Sequence, residues 1–436
     1  MKKTKVLFTI CAVGIASLII SCSNAPSQNQ IIPISAIPED PGENPGDNRE
    51  NPEDPGENPG DNGENPEDPG ENPGDNGENS EDPGENPGDN GENPEDSGEN
   101  PEDNGETTPE NNPIEYQFHE TVEYLPAGTD GSAGTTGTYV LFGDWPQTIK
   151  AQNVEIDTTR TMTRGGFTFY LGSDQNLYVS CEEKAYKEGY TYSDGTNVAR
   201  SSVHSTKYFK VEPIKWRVLN PTPVEGEKKF LVAEKCLVAN ILFQSNSNRN
   251  LNGEIIYPSN YKYSNIRAYL NGIVNEFITE SNGAVDAANV DWRNKGFLQS
   301  AFTTSAITLI ADTIVKNDLQ STVSSTENIY VCQNTTDKIF LPSVQEMGCS
   351  EYGFVAATQS IMNNQNDESR IRVPTDYAKA NYIDCSRYPR HFLRSPLYLT
   401  TYGGVKVMCV SDDIGNVDYD DCWKTQISIV PALCLE

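Results

Sequence analysis

The sequence predicts an α+β domain of mixed, mainly antiparallel sheets with a few short helices, preceded by a disordered linker. Three observations predict it. β-rich runs stand at both ends of residues 113–436, helix signals lie between them, and residues 39–112 form an acidic repeat with nothing apolar to bury.

The net charge of −32 is unevenly spread over the 436 residues. Residues 1–38 carry Lys2, Lys3 and Lys5 and no acid, whereas residues 39–112 carry 27 Asp and Glu against Arg49 alone. Residues 113–436 hold 37 acids and 28 bases, so the extreme acidity belongs to the repeat. Neither part has the basic patch of a nucleic-acid binder, and an acidic surface argues against docking on anionic headgroups. The pattern implies no cofactor.

Met1–Lys5 is a basic start, followed by an apolar run from Val6 to Ile20. That run is shorter than the ~20 residues of a membrane-spanning helix and fits a secretory signal over residues 1–21. It ends in Ile19-Ile20-Ser21-Cys22, which resembles a bacterial lipobox. The resemblance implies cleavage before Cys22 and acylation of that residue, a palmitate-type anchor. Each buried methylene contributes about 0.8 kcal/mol and stable anchoring needs more than one chain. Ser23 stands where an aspartate would signal inner-membrane retention, so outer-membrane delivery is expected, facing either the surface or the periplasm.

After a short linker (22–38), copies of a 14-residue repeat begin at Glu39, Glu53, Glu67, Glu81 and Glu95. Low hydrophobicity and high like charge cannot offset the entropy of ordering. A flexible coil of this length spans about 50 Å and a continuous polyproline helix about 230 Å, which bracket the reach of a spacer. Asp-Asn-Gly recurs, but without the ligand alternation of a calcium-binding loop.

Within 113–436, Thr138–Phe142 reads as a strand entering Gly143-Asp144-Trp145-Pro146. Phe209–Leu219 and Phe230–Glu234 read as further strands, and residues 151–208 as a turn-rich stretch. Ser264 caps a helix carrying Ile266, Tyr269, Leu270, Ile273, Val274 and Phe277. Phe297–Phe302 gives a second short helix, and Ser343 caps a third over Val344–Met347. Val405–Val410, a turn at Asp412–Asn416 and Ile427–Leu433 return to strands.

Several runs occur in a telling order: Phe142-Gly143-Asp144-Trp145-Pro146-Gln147-Thr148, Pro213–Leu219, Ser264–Asn271, Ile339–Ser343, Phe392-Leu393-Arg394-Ser395-Pro396 and Pro431-Ala432-Leu433. Together they resemble the DUF6273 domain, a bacterial family of unknown function, over roughly residues 138–435. That family usually has an arginine before the last proline, where this chain has Val430. The late Leu-Arg-Ser segment, hairpin and terminal strand resemble C-type-lectin-like domains more loosely.

Candidate chemistry is sparse. His119, His204 and His391 stand in no metal-binding or hydrolase motif. Eight cysteines remain beyond Cys22 in the mature chain, an even number that suggests disulfides in an exported protein. At least one bridge is expected among Cys385, Cys409, Cys422 and Cys434, with buried free thiols as the alternative. Asp412, Asp413, Asp418 and Asp420, with Asn416 and Asp421, are either weak calcium ligands or an acidic hairpin tip. Arg267 and Arg394 are either half-buried framework residues or solvated charges. Tyr257, Tyr261, Tyr263, Tyr388, Tyr398 and Tyr402 line a binding face or pack in the core.

These features predict an anchored, exported protein that is not an enzyme and that presents a domain for an unidentified protein or glycan ligand. The alternatives are an enzyme of the formylglycine-generating type, which needs a reactive cysteine pair, and an envelope structural protein.

Overall fold

The computed structural model describes residues 114–126, 138–200, 205–245, 247–275, 290–323, 327–357, 366–385, 389–397, 405–411 and 414–436. The signal segment, Cys22, the acidic repeat, His204, Asp412, Asp413, Tyr388, Tyr398 and Tyr402 lie outside these residues.

The chain enters through β1 (Glu123–Leu125) and β2 (Thr138–Ile149). The stretch expected to be turn-rich contains three strands, β3 (Ile156–Arg164), β4 (Phe167–Gly172) and β5 (Leu177–Glu182), before β6 (Thr206–Val218) and β7 (Lys229–Ala233). Short strands β8 (Lys235–Cys236), β9 (Arg249–Leu251) and β10 (Glu254–Ile256) precede the helical middle. That middle holds α1 (Asn265–Asn271), α2 (Phe297–Ala301), α3 (Thr304–Ile307), β11 (Thr313–Val315), β12 (Thr335–Asp337), β13 (Ile339–Phe340) and α4 (Val344–Met347). Then follow β14 (Val373–Pro374), α5 (Asp376–Ala380), β15 (His391–Pro396), β16 (Lys406–Val410), β17 (Val417–Asp421) and β18 (Ala432–Leu435).

Nine strands form one sheet, with β13-β18-β7-β6-β5-β4-β3 along its length. β6 organises it: one edge carries β5 and then β7, and the other carries β2, which pairs in turn with β1. Every pairing in this sheet is antiparallel, as is the smaller β15-β16-β17 sheet. The α+β class expected from the sequence is the observed one.

The strand expected over Thr138–Phe142 continues through Gly143–Pro146 to Ile149, with a bulge at that run. Its ladder shifts register between Leu141 and Asp144 and again between Pro146 and Thr148. Gly143 takes φ +72°, and a Cβ there would lie 2.4 Å from the Phe302 ring, so this bulge requires glycine. It aims Trp145 inward, where the buried indole Nε1 donates to Leu237 O at 2.9 Å. Trp216 of β6 donates to Phe142 O at 2.8 Å. Both aromatics thus bury their rings without stranding their N–H groups.

α1 is shorter than its apolar spacing suggested. Gly272 is left-handed (φ 61°, ψ 48°) and its N–H bonds Ala268 O and Tyr269 O, which ends the helix before Ile273. α4 carries the complete capping box, Ser343 accepting from Glu346 N and Glu346 accepting from Ser343 N. Among the described residues no helix is long and apolar enough to cross a membrane.

Candidate functional site

α1 begins where Ser264 Oγ accepts from Arg267 N at 3.1 Å and donates to Tyr261 O at 2.9 Å. Ile266, Tyr269 and Leu270 turn into the core. Asn265 is buried as well, its Oδ1 accepting from Trp292 Nε1 at 2.8 Å. On the other side Arg267 reaches buried Asp337, with Nε 2.9 and 3.0 Å from the two carboxylate oxygens and Nη1 donating to Lys262 O. Burial pulls the Arg267 guanidinium down, but the hydrogen bonds and charge of Asp337 outweigh it and hold it above its ordinary value. Asn271 then donates to Ile339 O and accepts from Lys338 N and Ile339 N. The polar residues of the Ser264–Asn271 run therefore fasten α1 to β12 and β13.

This fastening leaves a cleft of about 610 Å³ beside the helix. Its lining joins Ala268, Ile273 and Val274 to the cations Lys262, Arg267 and Arg293, with Tyr263, Ser264 and Asn275 between them. Among the described residues no carboxylate is part of that lining. Asp337 stands behind Arg267, and Asp291 pairs with exposed Arg293 at 2.7 Å. Lys262 bonds the neutral Gln333 amide at 2.6 Å and lies 5.0 Å from the Tyr263 ring centroid. The volume lies within the ~300–1,000 Å³ range of small-molecule sites, and an apolar part with a few polar groups is the usual make-up of one.

Other residues singled out in the sequence prove to be framework. Arg394 is 2% exposed and holds Glu346 at 2.6 and 2.7 Å, Leu341 O at 2.7 Å and Lys316 O at 3.0 Å. Ser395 Oγ accepts from Val344 N and donates to Ser321 O. Tyr261 is buried and its hydroxyl accepts from Leu341 N, while Tyr257 meets Tyr330 edge to face. Asp418 and Asp420 lie 3.1 Å from Arg390, and Asp420 also meets Lys424, so these carboxylates already have cations. Among the described residues no group of three or more metal-ligating side chains occurs.

His391 is buried, not exposed, and among the described residues neither ring nitrogen has a hydrogen-bond partner. Burial, then the Arg372 charge, lowers it from 6.5 to about 3, so it is neutral. Arg370 and Arg372 were not singled out in the sequence, because Arg370-Ile371-Arg372 reads as an ordinary exposed alternation. Both are buried: Arg370 donates to Met347 O and Gly415 O, and Arg372 to Ala233 O and Ser369 O.

The eight described cysteines, with Cys385, Cys409, Cys422 and Cys434 among them, stand as free thiols. Strand register separates one pair: Cys409 faces Asp418, whereas Cys422 lies past the last rung, Lys406 to Asp421. At ~3.3 Å per residue this separation exceeds disulfide reach of roughly 7 Å. Cys434 faces Phe230 in the large sheet. Burial pushes the Cys236 and Cys385 thiols up to about 12 and Cys434 to about 11, the reverse of what a reactive cysteine needs.

Fold and side-chain ties together define an α+β domain in which buried arginines bind carbonyls across the middle of the chain. Residues 226–436 match the family model of a domain of unknown function, DUF6273. The Phe142–Thr148 and Pro213–Leu219 runs precede the matched segment, although they supply the sheet on which it packs. No curated protein and no solved structure matches the chain. Val430, at the position of the family's usual arginine, is fully buried.

Proposed function

We propose that this chain is a lipid-anchored binding protein: acylated Cys22 holds it to a membrane, the acidic repeat is a spacer, and the α1 cleft takes the ligand. The observation that carries the binding role is the cleft itself, with its volume and its mixture of apolar and cationic side chains against a fastened helix. The anchor rests on the basic start, the apolar run and Ser21-Cys22, and the spacer on the repeat. A domain held at the end of a long charged chain reaches ligands that a membrane-flush domain does not.

The test is a screen of the full chain against glycan and peptide arrays, with each hit followed by hydrogen exchange. The expected hit slows exchange across Tyr263–Asn275 and 290–293. Hits that protect only other segments, or no hit in either array, would contradict the reading.

A further inference from the structure

Resting on the reading that the α1 cleft is a binding site, we infer that its ligand is a small organic anion, a carboxylate on a partly apolar body such as an acidic sugar. Among the described residues three cations and no carboxylate line the cleft, in a part of the chain whose acids outnumber its bases by nine. A cationic ligand would meet Lys262, Arg267 and Arg293 with no carboxylate among the described lining residues to receive its charge. Among the described residues Lys262 has no carboxylate partner; its Nζ bonds Gln333, a neutral group that leaves the positive charge uncompensated. Arg293 gives Nε and Nη2 to Asp291, which leaves its other terminal nitrogen to donate.

The rest of the lining says what carries the anion. Ala268, Ile273, Val274 and the Tyr263 ring offer apolar surface that a bare inorganic ion would not use. About 610 Å³ holds far more than such an ion, so the ligand spans both halves of the lining. Arg267, locked on Asp337, sets the wall and its positive field, whereas Lys262 and Arg293 are placed to contact the anion directly. Trp292, whose backbone N donates to Ile273 O at 3.3 Å, stands beside the site as a built-in fluorophore.

The experiment titrates the full chain with cellobiuronic acid, with cellobiose as its neutral counterpart and with inorganic phosphate, following tryptophan fluorescence and calorimetry. The acidic disaccharide is expected to bind at least about tenfold more tightly than cellobiose at low salt, with the advantage shrinking as salt rises. Lys262→Met is expected to remove most of that advantage and Lys262→Arg to keep it. An unchanged thermal midpoint in both variants shows that the change is in the site. Equal affinity for the two disaccharides would overturn the anionic assignment while leaving the cleft as a binding site. Phosphate binding as tightly as the acidic disaccharide would overturn the organic assignment. If neither sugar binds, the inference fails, and the array screen decides separately whether the cleft binds anything.

Discussion

Asp144 clamps His119 from two directions, with His119 Nδ1 2.7 Å from one carboxylate oxygen and the His119 N–H 2.9 Å from the other. The carboxylate is 1% exposed, so its two bonds replace water that is no longer there. Phe118, next along, lies under Arg164 at 3.8 Å, and Gly143 N bonds His119 O. Segment 114–126 is thus pinned where the bulge in β2 begins. Asp144→Ala is expected to lower unfolding free energy by about 1–3 kcal/mol in urea titration and to expose 114–126 to protease. An unchanged urea midpoint would mean the clamp contributes nothing.

Arg394 and Glu346 are a second tie, joining β15 to α4. Removing the arginine takes away the cation that pairs with Glu346, leaving it the Ser343 N–H, and the side-chain donor to two carbonyls, so Arg394→Ala should cost about 3–5 kcal/mol in chemical denaturation. Glu346→Gln keeps an acceptor for Ser343 N and should cost less. The reverse order would assign the stability to the cap and not to the ion pair.

His391 gives the fold an acid sensitivity. Its folded value is depressed to about 3 from 6.5, so above 6.5 it is neutral folded and unfolded alike. Below 6.5 the unfolded chain takes up the proton first, and stability falls by about 1.4 kcal/mol per pH unit until the folded value is approached. His391→Leu should flatten that limb between pH 6.5 and about 3. If the thermal midpoint of the Leu variant falls as steeply as that of the parent, the sensitivity lies elsewhere.

Much of this was legible in the sequence. Ser264 and Ser343 announced two helices because a capping hydroxyl acts locally, and Phe209–Leu219 announced β6 through its aromatic and β-branched content. The strands from Ile156 to Glu182 were missed because polar Thr residues fill β3 and the turns between short strands set the look of the stretch. The end of β2 was placed at Phe142, seven residues early, because glycine and proline punctuate a bulge as they do a strand end. The cleft was illegible: Lys262 and Arg293 meet only after the chain has folded back, and no local pattern records that. Arg370 and Arg372 were overlooked for the same reason, since the carbonyls of Met347, Gly415 and Ala233 that hold them are distant in the chain.

Gly272 shapes the cleft by ending α1 before Ile273. A Cβ there would lie 1.8 Å from the Gln299 side-chain oxygen, and the left-handed backbone costs a non-glycine residue about 1–2 kcal/mol. Gly272→Ala should lower the thermal midpoint accordingly and weaken binding of the acidic disaccharide, because Ile273 and Val274 shift. Loss of stability with binding intact would separate the helix end from the cleft.

The claim that this binding domain is carried on a membrane anchor has one most direct test, the mass of the N-terminal peptide from membrane-purified protein. The account predicts a chain that starts at Cys22 and carries acyl chains on that residue. A chain that still bears residues 1–21, or that starts at an unmodified Cys22, would contradict it.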